Sequence, residues 1–106
     1  SITYAQDKVG IVTDNVEGGD PYKLRIYDRE GSPVFEKTFN YQYTGFDIDG
    51  DLVLLYNDSS CKVYNMTGTE KYNGTFDFTV SKVSAGRFPG TLLVMGPQKM
   101  TEIKLQ

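Results

Sequence analysis

The sequence contains no histidine and no tryptophan, and Cys61 is the single cysteine among its 106 residues. A lone cysteine forms no intrachain disulfide, and without a histidine or a second cysteine the common zinc frameworks cannot be built. No histidine is available as a general base, and Ser59 and Ser60 have no partner for a catalytic triad. The residue types therefore predict no catalytic residue, no metal site and no cofactor.

The chain also lacks long apolar runs and clusters of positive charge. Its longest apolar runs are about five residues, whereas a membrane-spanning helix needs roughly 20. It has 11 Lys and Arg against 14 Asp and Glu, for a net charge of −3, and the basic residues are spread singly. Because binding to nucleic acid needs a basic face, we expect neither a nucleic-acid partner nor a membrane span in these residues.

The residues that are present predict an ordered all-β domain. Apolar residues make up 39% of the chain and aromatic residues 13%, which suffices for a core. Segments such as "KLRIYD", "CKVYNM" and "TEIKLQ" alternate apolar and polar residues, a pattern typical of strands. Turn-forming residues separate these segments, and no stretch keeps a helical period. We expect about eleven short strands and no helix longer than one turn.

Internal repetition is the strongest signal in the sequence. A shift of 37 residues places "LRIYDREGSPVFEKTFNY" (24–41) on "CKVYNMTGTEKYNGTFDF" (61–78). Shifts of 40 and 43 place residues 50–63 on 90–103 and residues 9–15 on 52–58, with "EGGDPY" as an insertion. A period near 40 with four strands per unit is typical of β-propellers.

The second strand of each unit decides between a propeller and a sandwich. The strands "VGIV", "LVLL" and "LLVM" are apolar at odd and even positions, as expected for a blade covered on both faces by its neighbours. A sandwich would expose one face of most strands. We predict an incomplete β-propeller of about 2.75 four-stranded antiparallel blades, at residues 1–43, 44–81 and 82–106 of a longer chain. A small β-sandwich or meander is the alternative.

The repeated pattern "I/V-Y-D/N-x-x-G", followed by an aromatic-rich strand, resembles repeats of quinoprotein-like and WD40-like propellers. The resemblance implies that Asp28 and Asn65 form the tight turn before the outer strand of each unit. More narrowly, the chain is similar to the C-terminal part of an uncharacterised group of Gram-positive bacterial proteins with a membrane-anchoring helix and an extracytoplasmic propeller. That resemblance implies an extracytoplasmic location, with the anchor in a segment outside these residues. The missing Trp-Asp pair argues against a true WD40 protein.

The stretch "FDIDGD" places Asp47, Asp49 and Asp51 around Gly50 and offers two interpretations. In the repeat alignment Gly50 falls on Gly90, but the aspartates fall on unrelated residues. A calcium loop of the EF-hand type needs a glutamate at its twelfth position, which here is Asp58. We therefore expect a solvated Asp-Gly turn, with a calcium loop as the alternative.

Candidate ligand-binding residues are those that do not repeat. Aromatic residues that recur between units are expected to pack between blades, whereas Tyr22 and Tyr56 have no equivalent. The insertion "NVEGGDPY" carries Glu17 and Asp20 and lies on the loop face that propellers commonly use for binding. We predict a ligand surface at Glu17, Asp20, Tyr22 and Tyr56, with a merely tolerated loop as the alternative.

Two functions fit this sequence. The first is a noncatalytic propeller segment acting as a structural or interaction module that binds protein or glycan. The alternative is part of an extracytoplasmic enzyme, glycan-active or quinoprotein-like, whose catalytic residues lie on other blades. An incomplete ring leaves blade faces open, so we also expect self-association through faces carrying Leu52, Leu54, Leu92 and Val94, or through the strand edge after Leu105.

Overall fold

The computed structural model describes all 106 residues as eleven β-strands without a helix, which confirms the predicted strand content. Since there is no helix, none is long and apolar enough to cross a membrane. The strands are β1 (Ile2–Tyr4), β2 (Lys8–Asp14), β3 (Tyr22–Asp28), β4 (Pro33–Phe39), β5 (Gly45–Asp49), β6 (Leu52–Tyr56), β7 (Ser60–Tyr64), β8 (Glu70–Thr75), β9 (Lys82–Ala85), β10 (Thr91–Met95) and β11 (Met100–Lys104).

These strands form three antiparallel sheets, each ordered as in the chain. We call them blade 1 (β1 to β4), blade 2 (β5 to β8) and blade 3 (β9 to β11). The first strand of each blade is the inner one, and β4 and β8 are the outer strands. The chain is thus an incomplete β-propeller of about 2.75 blades, as predicted.

The turn from third to fourth strand is built identically in blades 1 and 2. The carboxylate of Asp28 accepts hydrogen bonds from the backbone N–H groups of Glu30 and Ser32, at 3.0 and 2.9 Å. The side-chain oxygen of Asn65 accepts the same two bonds, from Thr67 and Thr69. Both turns then use a glycine at positive φ, as expected from the pattern "D/N-x-x-G".

Two apolar clusters join the blades. The first lies between blades 1 and 2, and the second lies between blades 2 and 3. The buried members of the first are Val12, Leu24, Ile26, Phe39, Ile48, Val53, Leu55 and Tyr64. Those of the second are Leu54, Cys61, Val63, Val80, Val83, Leu92 and Val94.

We call the face of a blade that points toward the preceding blade its leading face, and the opposite one its trailing face. On β6, Val53 and Leu55 belong to the first cluster and Leu54 to the second, and all three are fully buried. The predicted burial on both faces therefore holds for the middle blade. Strands β2 and β10 bury only alternate residues, because blades 1 and 3 each have one covered face.

The expectation that Leu52, Leu54, Leu92 and Val94 lie on open blade faces was wrong. Leu54, Leu92 and Val94 are fully buried between blades 2 and 3, and Leu52 is half-buried against the same cluster. The cause is a one-residue error in the repeat alignment, since a slip of one residue moves every side chain of a strand to its other face. The alignment matched Gly50 with Gly90, but the connection from β9 to β10 is longer than that from β5 to β6.

The strand pairings give the correct equivalence. Val53 pairs with Tyr64 in blade 2, as Leu92 pairs with Ile103 in blade 3 and Val9 with Tyr27 in blade 1. Leu54 therefore corresponds to Leu93 in blade 3 and to Gly10 in blade 1. These equivalences identify the faces that have no neighbour.

Candidate functional site

The loop from β2 to β3 is held in shape by Asn15. Its side-chain amide donates to the carbonyl oxygens of Gly18 and Asp20, at 3.1 and 2.9 Å. Its side-chain oxygen accepts from the backbone N–H of Glu17 at 3.3 Å. Two glycines at positive φ, Gly18 and Gly19, complete the reversal. The insertion noted in the sequence is thus an ordered turn at the end of the β2–β3 hairpin.

Glu17 and Asp20 lie together on one polar groove beside this loop. Lys23 forms ion pairs with Glu17 and, at 3.1 Å, with Glu36, and the Asp20 carboxylate accepts a hydrogen bond from the Thr38 hydroxyl at 3.1 Å. The bond to Glu17, followed by that to Glu36, raises the pKa of Lys23, and the bond from Lys23 lowers the pKa of Glu36. The groove is hydrophilic: Lys23 pairs with both glutamates, while the Asp20 carboxylate has only a hydroxyl partner.

Tyr22 and Tyr56 lie away from this groove. The ring of Tyr22 packs against Phe39 and Tyr43, with centroids 5.2 and 5.3 Å apart, between blades 1 and 2. The ring of Tyr56 covers the backbone of Gly45, where a Cβ atom would lie 2.3 Å from it. The structure therefore brings together Glu17 and Asp20 of the four predicted residues and uses the two tyrosines in packing.

Two of the three aspartates of "FDIDGD" connect the inner strands of neighbouring blades, a role that the sequence pattern did not show. Asp47 accepts a hydrogen bond from the Thr3 hydroxyl of blade 1 at 3.0 Å. Asp49 accepts one from the backbone N–H of Ala85 in blade 3 at 2.8 Å. Gly50 takes a positive φ of 60° in the turn that follows. No group of three or more His, Cys, Asp or Glu side chains is arranged to hold a metal ion.

The leading face of blade 1 is apolar and is not covered by any other part of residues 1–106. Thr3 points toward Asp47 of blade 2, so its neighbours Ile2 and Tyr4 point the opposite way, and they are 58% and 75% exposed. Pairing across β1, β2 and β3 places further half-buried apolar side chains on the same face. We define the blade 1 face by Ile2, Tyr4, Val9, Ile11 and Tyr27.

Each residue of the blade 1 face has an equivalent that packs in the first cluster. By the strand pairings these equivalents, in the same order, are Phe46, Ile48, Val53, Leu55 and Tyr64. Those side chains pack against blade 1, and all but Phe46 are nearly or fully buried. The blade 1 face thus has the composition of a blade interface and is uncovered within residues 1–106. Correct repeat alignment would have found it.

The trailing face of blade 3 differs in chemistry from the blade 1 face. Leu93, Met95 and Met100 lie on it, and Met100 is 64% exposed. Glu102 corresponds to Val63, which is buried in blade 2. The Oε2 atom of Glu102 lies 3.7 Å from the Nε atom of Arg87. A charged pair at the centre of this face makes dry packing costly. The trailing face of blade 3 is therefore less suited to packing against another blade.

Comparison with known proteins gives a family and a fold. A family model described as a family of unknown function (DUF5711) matches residues 1–105. No curated protein is significantly similar to the chain in sequence. The chain is similar to the crystal structure of HIRA(644-1017), a WD40 β-propeller protein, with a TM-score of 0.68 and 11% identity. The match covers 95% of this chain and 32% of that one, so this chain spans about a third of its length.

Proposed function

Since the chain belongs to DUF5711, a family of unknown function, we propose a role from its own structure: a noncatalytic β-propeller segment that acts as a structural or interaction module. In this role the blade 1 face packs against a further protein surface, in the same protein or in a partner. The observation that carries this proposal is the exposure of Ile2 and Tyr4 at positions where blade 2 packs Phe46 and Ile48. Contiguous exposed apolar side chains mark protein interaction sites.

The energetics favour covering this face. Full burial of one aliphatic or aromatic side chain contributes about 1.5–3 kcal/mol. The blade 1 face offers five such side chains, of which two are more than half exposed. Polar side chains flank the apolar part: Arg25 lies on the same face of β3 and contacts Glu36 and Thr13. An apolar centre with a polar rim is the usual composition of a protein interface.

Sedimentation equilibrium of the isolated chain tests this proposal. We expect the wild-type chain to associate at tens of micromolar, because a second molecule can cover the blade 1 face. The variant Tyr4→Lys should be monomeric under the same conditions, since burying an unpaired ammonium group is costly. Val16→Lys is the matched control, because Val16 is an exposed apolar residue of the β2–β3 loop and should leave association unchanged. A monomeric wild-type chain, or equal loss of association in both variants, would contradict the proposal.

The groove beside the β2–β3 loop supports a second candidate partner, a glycan. Its lining contains no apolar side chain, and it presents the carboxylates of Glu17 and Asp20, which are acceptors for sugar hydroxyl groups. Glu17→Gln with Asp20→Asn should weaken any glycan binding found by screening the isolated chain against immobilised oligosaccharides. A glycan that binds both proteins equally would place its site elsewhere.

A further inference from the structure

The interface between blades 1 and 2 is filled by two lysine side chains in its outer part, where β4 faces β7. Lys37 pairs with Leu24, and Lys62 pairs with Leu55. Both leucines belong to the first cluster, so both lysine side chains point into this interface. Their ammonium nitrogens lie 5.3 and 5.8 Å from the centroid of the Tyr64 ring, which is within the distance of a cation–π interaction.

The interface between blades 2 and 3 has small residues at both lysine positions. By the strand pairings, Lys37 corresponds to Gly74 and Lys62 corresponds to Thr101. A cleft with a volume of about 600 Å³ lies here between β8 and β11. No cavity of the chain is lined by a residue of β7. The cleft therefore lies between two blades of the structure, at the place where the two lysine side chains are replaced by smaller residues.

Three aromatic side chains line the blade 2 side of the cleft: Tyr72, Phe76 and Phe78. The ring centroids of Tyr72 and Phe76 are 6.3 Å apart, and those of Phe76 and Phe78 are 5.5 Å apart. The Lys99 ammonium lies 5.3 Å from the centroid of Phe78, so this ring already has a cation. No lysine or arginine of the chain lies over the ring of Tyr72 or Phe76.

The remaining lining suits a long side chain that ends in a positive charge. Ile103 and Thr101 of β11 line the cleft on the blade 3 side. Asp77 also lines it, and its carboxylate lies 3.3 Å from the Lys99 ammonium. The Asp77 side chain is 85% exposed, so its carboxylate remains accessible to a second cation. The cleft thus combines ring faces, an aliphatic side chain and a carboxylate.

We propose that this cleft binds a lysine side chain of a partner protein, with the ammonium group over the rings of Tyr72 and Phe76 and the aliphatic stem against Ile103. The negative face of an aromatic ring attracts an ammonium group. The chain itself shows this arrangement in the equivalent interface, where Lys37 and Lys62 lie over Tyr64. The site lies on neither the blade 1 face nor the groove beside the β2–β3 loop, so it goes beyond the proposed function.

A capped peptide, acetyl-Gly-Lys-Gly-amide, is the probe, titrated into the isolated chain at constant protein concentration and followed by NMR. We expect saturable shifts of the backbone amides of Tyr72, Phe76 and Thr101. The ε-methylene protons of the peptide should move upfield, because they would lie over ring faces. The same peptide with norleucine in place of lysine keeps an unbranched aliphatic side chain without the charge, and it should bind at least about fivefold more weakly.

Two protein variants test the place and the rings. Thr101→Lys puts a lysine where blade 2 has Lys62, so it should fill the cleft from within and weaken binding of the lysine peptide at least about fivefold. Met100→Lys is the matched control, because Met100 lies on the other face of β11 and is 64% exposed, so binding should not change. Phe76→Leu keeps an apolar side chain but removes a ring face, and it should also weaken binding.

The proposal is overturned if the lysine peptide shows no saturable shifts up to about 10 mM, or if the norleucine peptide binds equally well. Unchanged binding to Thr101→Lys, or equal losses in Thr101→Lys and Met100→Lys, would also overturn it. Shifts confined to the blade 1 face would place the peptide elsewhere and have the same consequence. None of these results bears on Tyr4→Lys, which tests the blade 1 face.

Discussion

At the residue scale, the turn from the third to the fourth strand uses the same hydrogen-bond acceptor in blades 1 and 2, a side-chain oxygen. Asp28 and Asn65 differ in charge, yet each accepts two backbone N–H bonds from residues two and four positions later. The shared requirement is an acceptor on a short side chain, which both residues satisfy. The turn therefore depends on hydrogen bonding and not on the negative charge.

Replacing Asn65 tests this interpretation. Asn65→Ala removes the acceptor and leaves two N–H groups without their partner, so we expect a loss of about 1–3 kcal/mol in the free energy of unfolding. Asn65→Asp keeps the acceptor and should change stability much less. Urea denaturation followed by tyrosine fluorescence gives both values. Equal losses in the two variants would show that the turn does not depend on this oxygen.

Cys61 is the residue whose chemistry burial changes most. It is fully buried, and burial raises the pKa of its thiol to about 12. We expect the thiol in the folded chain to react with a disulfide reagent at pH 8 only as fast as the chain unfolds. The unfolded thiol has a pKa of about 8.5. The stabilisation that comes from keeping the buried thiol neutral is therefore fully present below that pH, and the free energy of unfolding decreases as the pH rises toward 12. Rapid reaction without denaturant would contradict the burial of Cys61.

At the element scale, the strands were predictable from sequence but the register between repeats was not. The alternation of apolar and polar residues, with turn residues between the segments, predicted about eleven strands. The shift of 37 residues placed Tyr27 on Tyr64, as the strand pairings do. The shift of 40 failed because a glycine was matched across connections of unequal length. Loop length is not constrained by packing, so it varies between repeats while strand pairing does not.

The strand register also explains which parts of the candidate site could be predicted from the sequence. Glu17 and Asp20 were found together because the insertion is local in sequence. The sequence did not predict the packing contacts of Tyr22 and Tyr56, because the face on which a side chain lies depends on strand pairing, which a single sequence does not contain. The blade 1 face was missed for the same reason, since its recognition requires matching Val9 to Val53 and not to Leu52.

Leu54 and Leu93 occupy equivalent positions on β6 and β10 and test the corrected register. Leu54 is fully buried between blades 2 and 3, whereas Leu93 lies half-buried on the open trailing face of blade 3. We expect Leu54→Ala to cost about 2–5 kcal/mol of unfolding free energy and Leu93→Ala less than about 1 kcal/mol. Chemical denaturation of the two variants measures this difference. Similar losses would mean that both faces are packed.

At the scale of the whole molecule, three blades are held together by two apolar clusters of eight and seven buried residues. Within residues 1–106 only blade 2 has neighbours on both sides, so blades 1 and 3 each have one uncovered face. These surfaces differ: the blade 1 face is apolar, while the trailing face of blade 3 carries the Glu102 and Arg87 pair. The two uncovered faces therefore differ in chemistry.

The central proposal is that the blade 1 face, uncovered within residues 1–106, can pack against another protein surface, whereas the interface of blades 2 and 3 is closed. Backbone amide NMR spectra of the isolated chain, recorded on dilution from hundreds of micromolar to a few micromolar, test it directly. We predict concentration-dependent shifts at Ile2, Tyr4, Val9 and Ile11, with Leu54 and Leu92 unchanged because they are already buried within one chain. Shifts concentrated at Leu54 and Leu92, or no shift at any residue of the blade 1 face, would contradict the account.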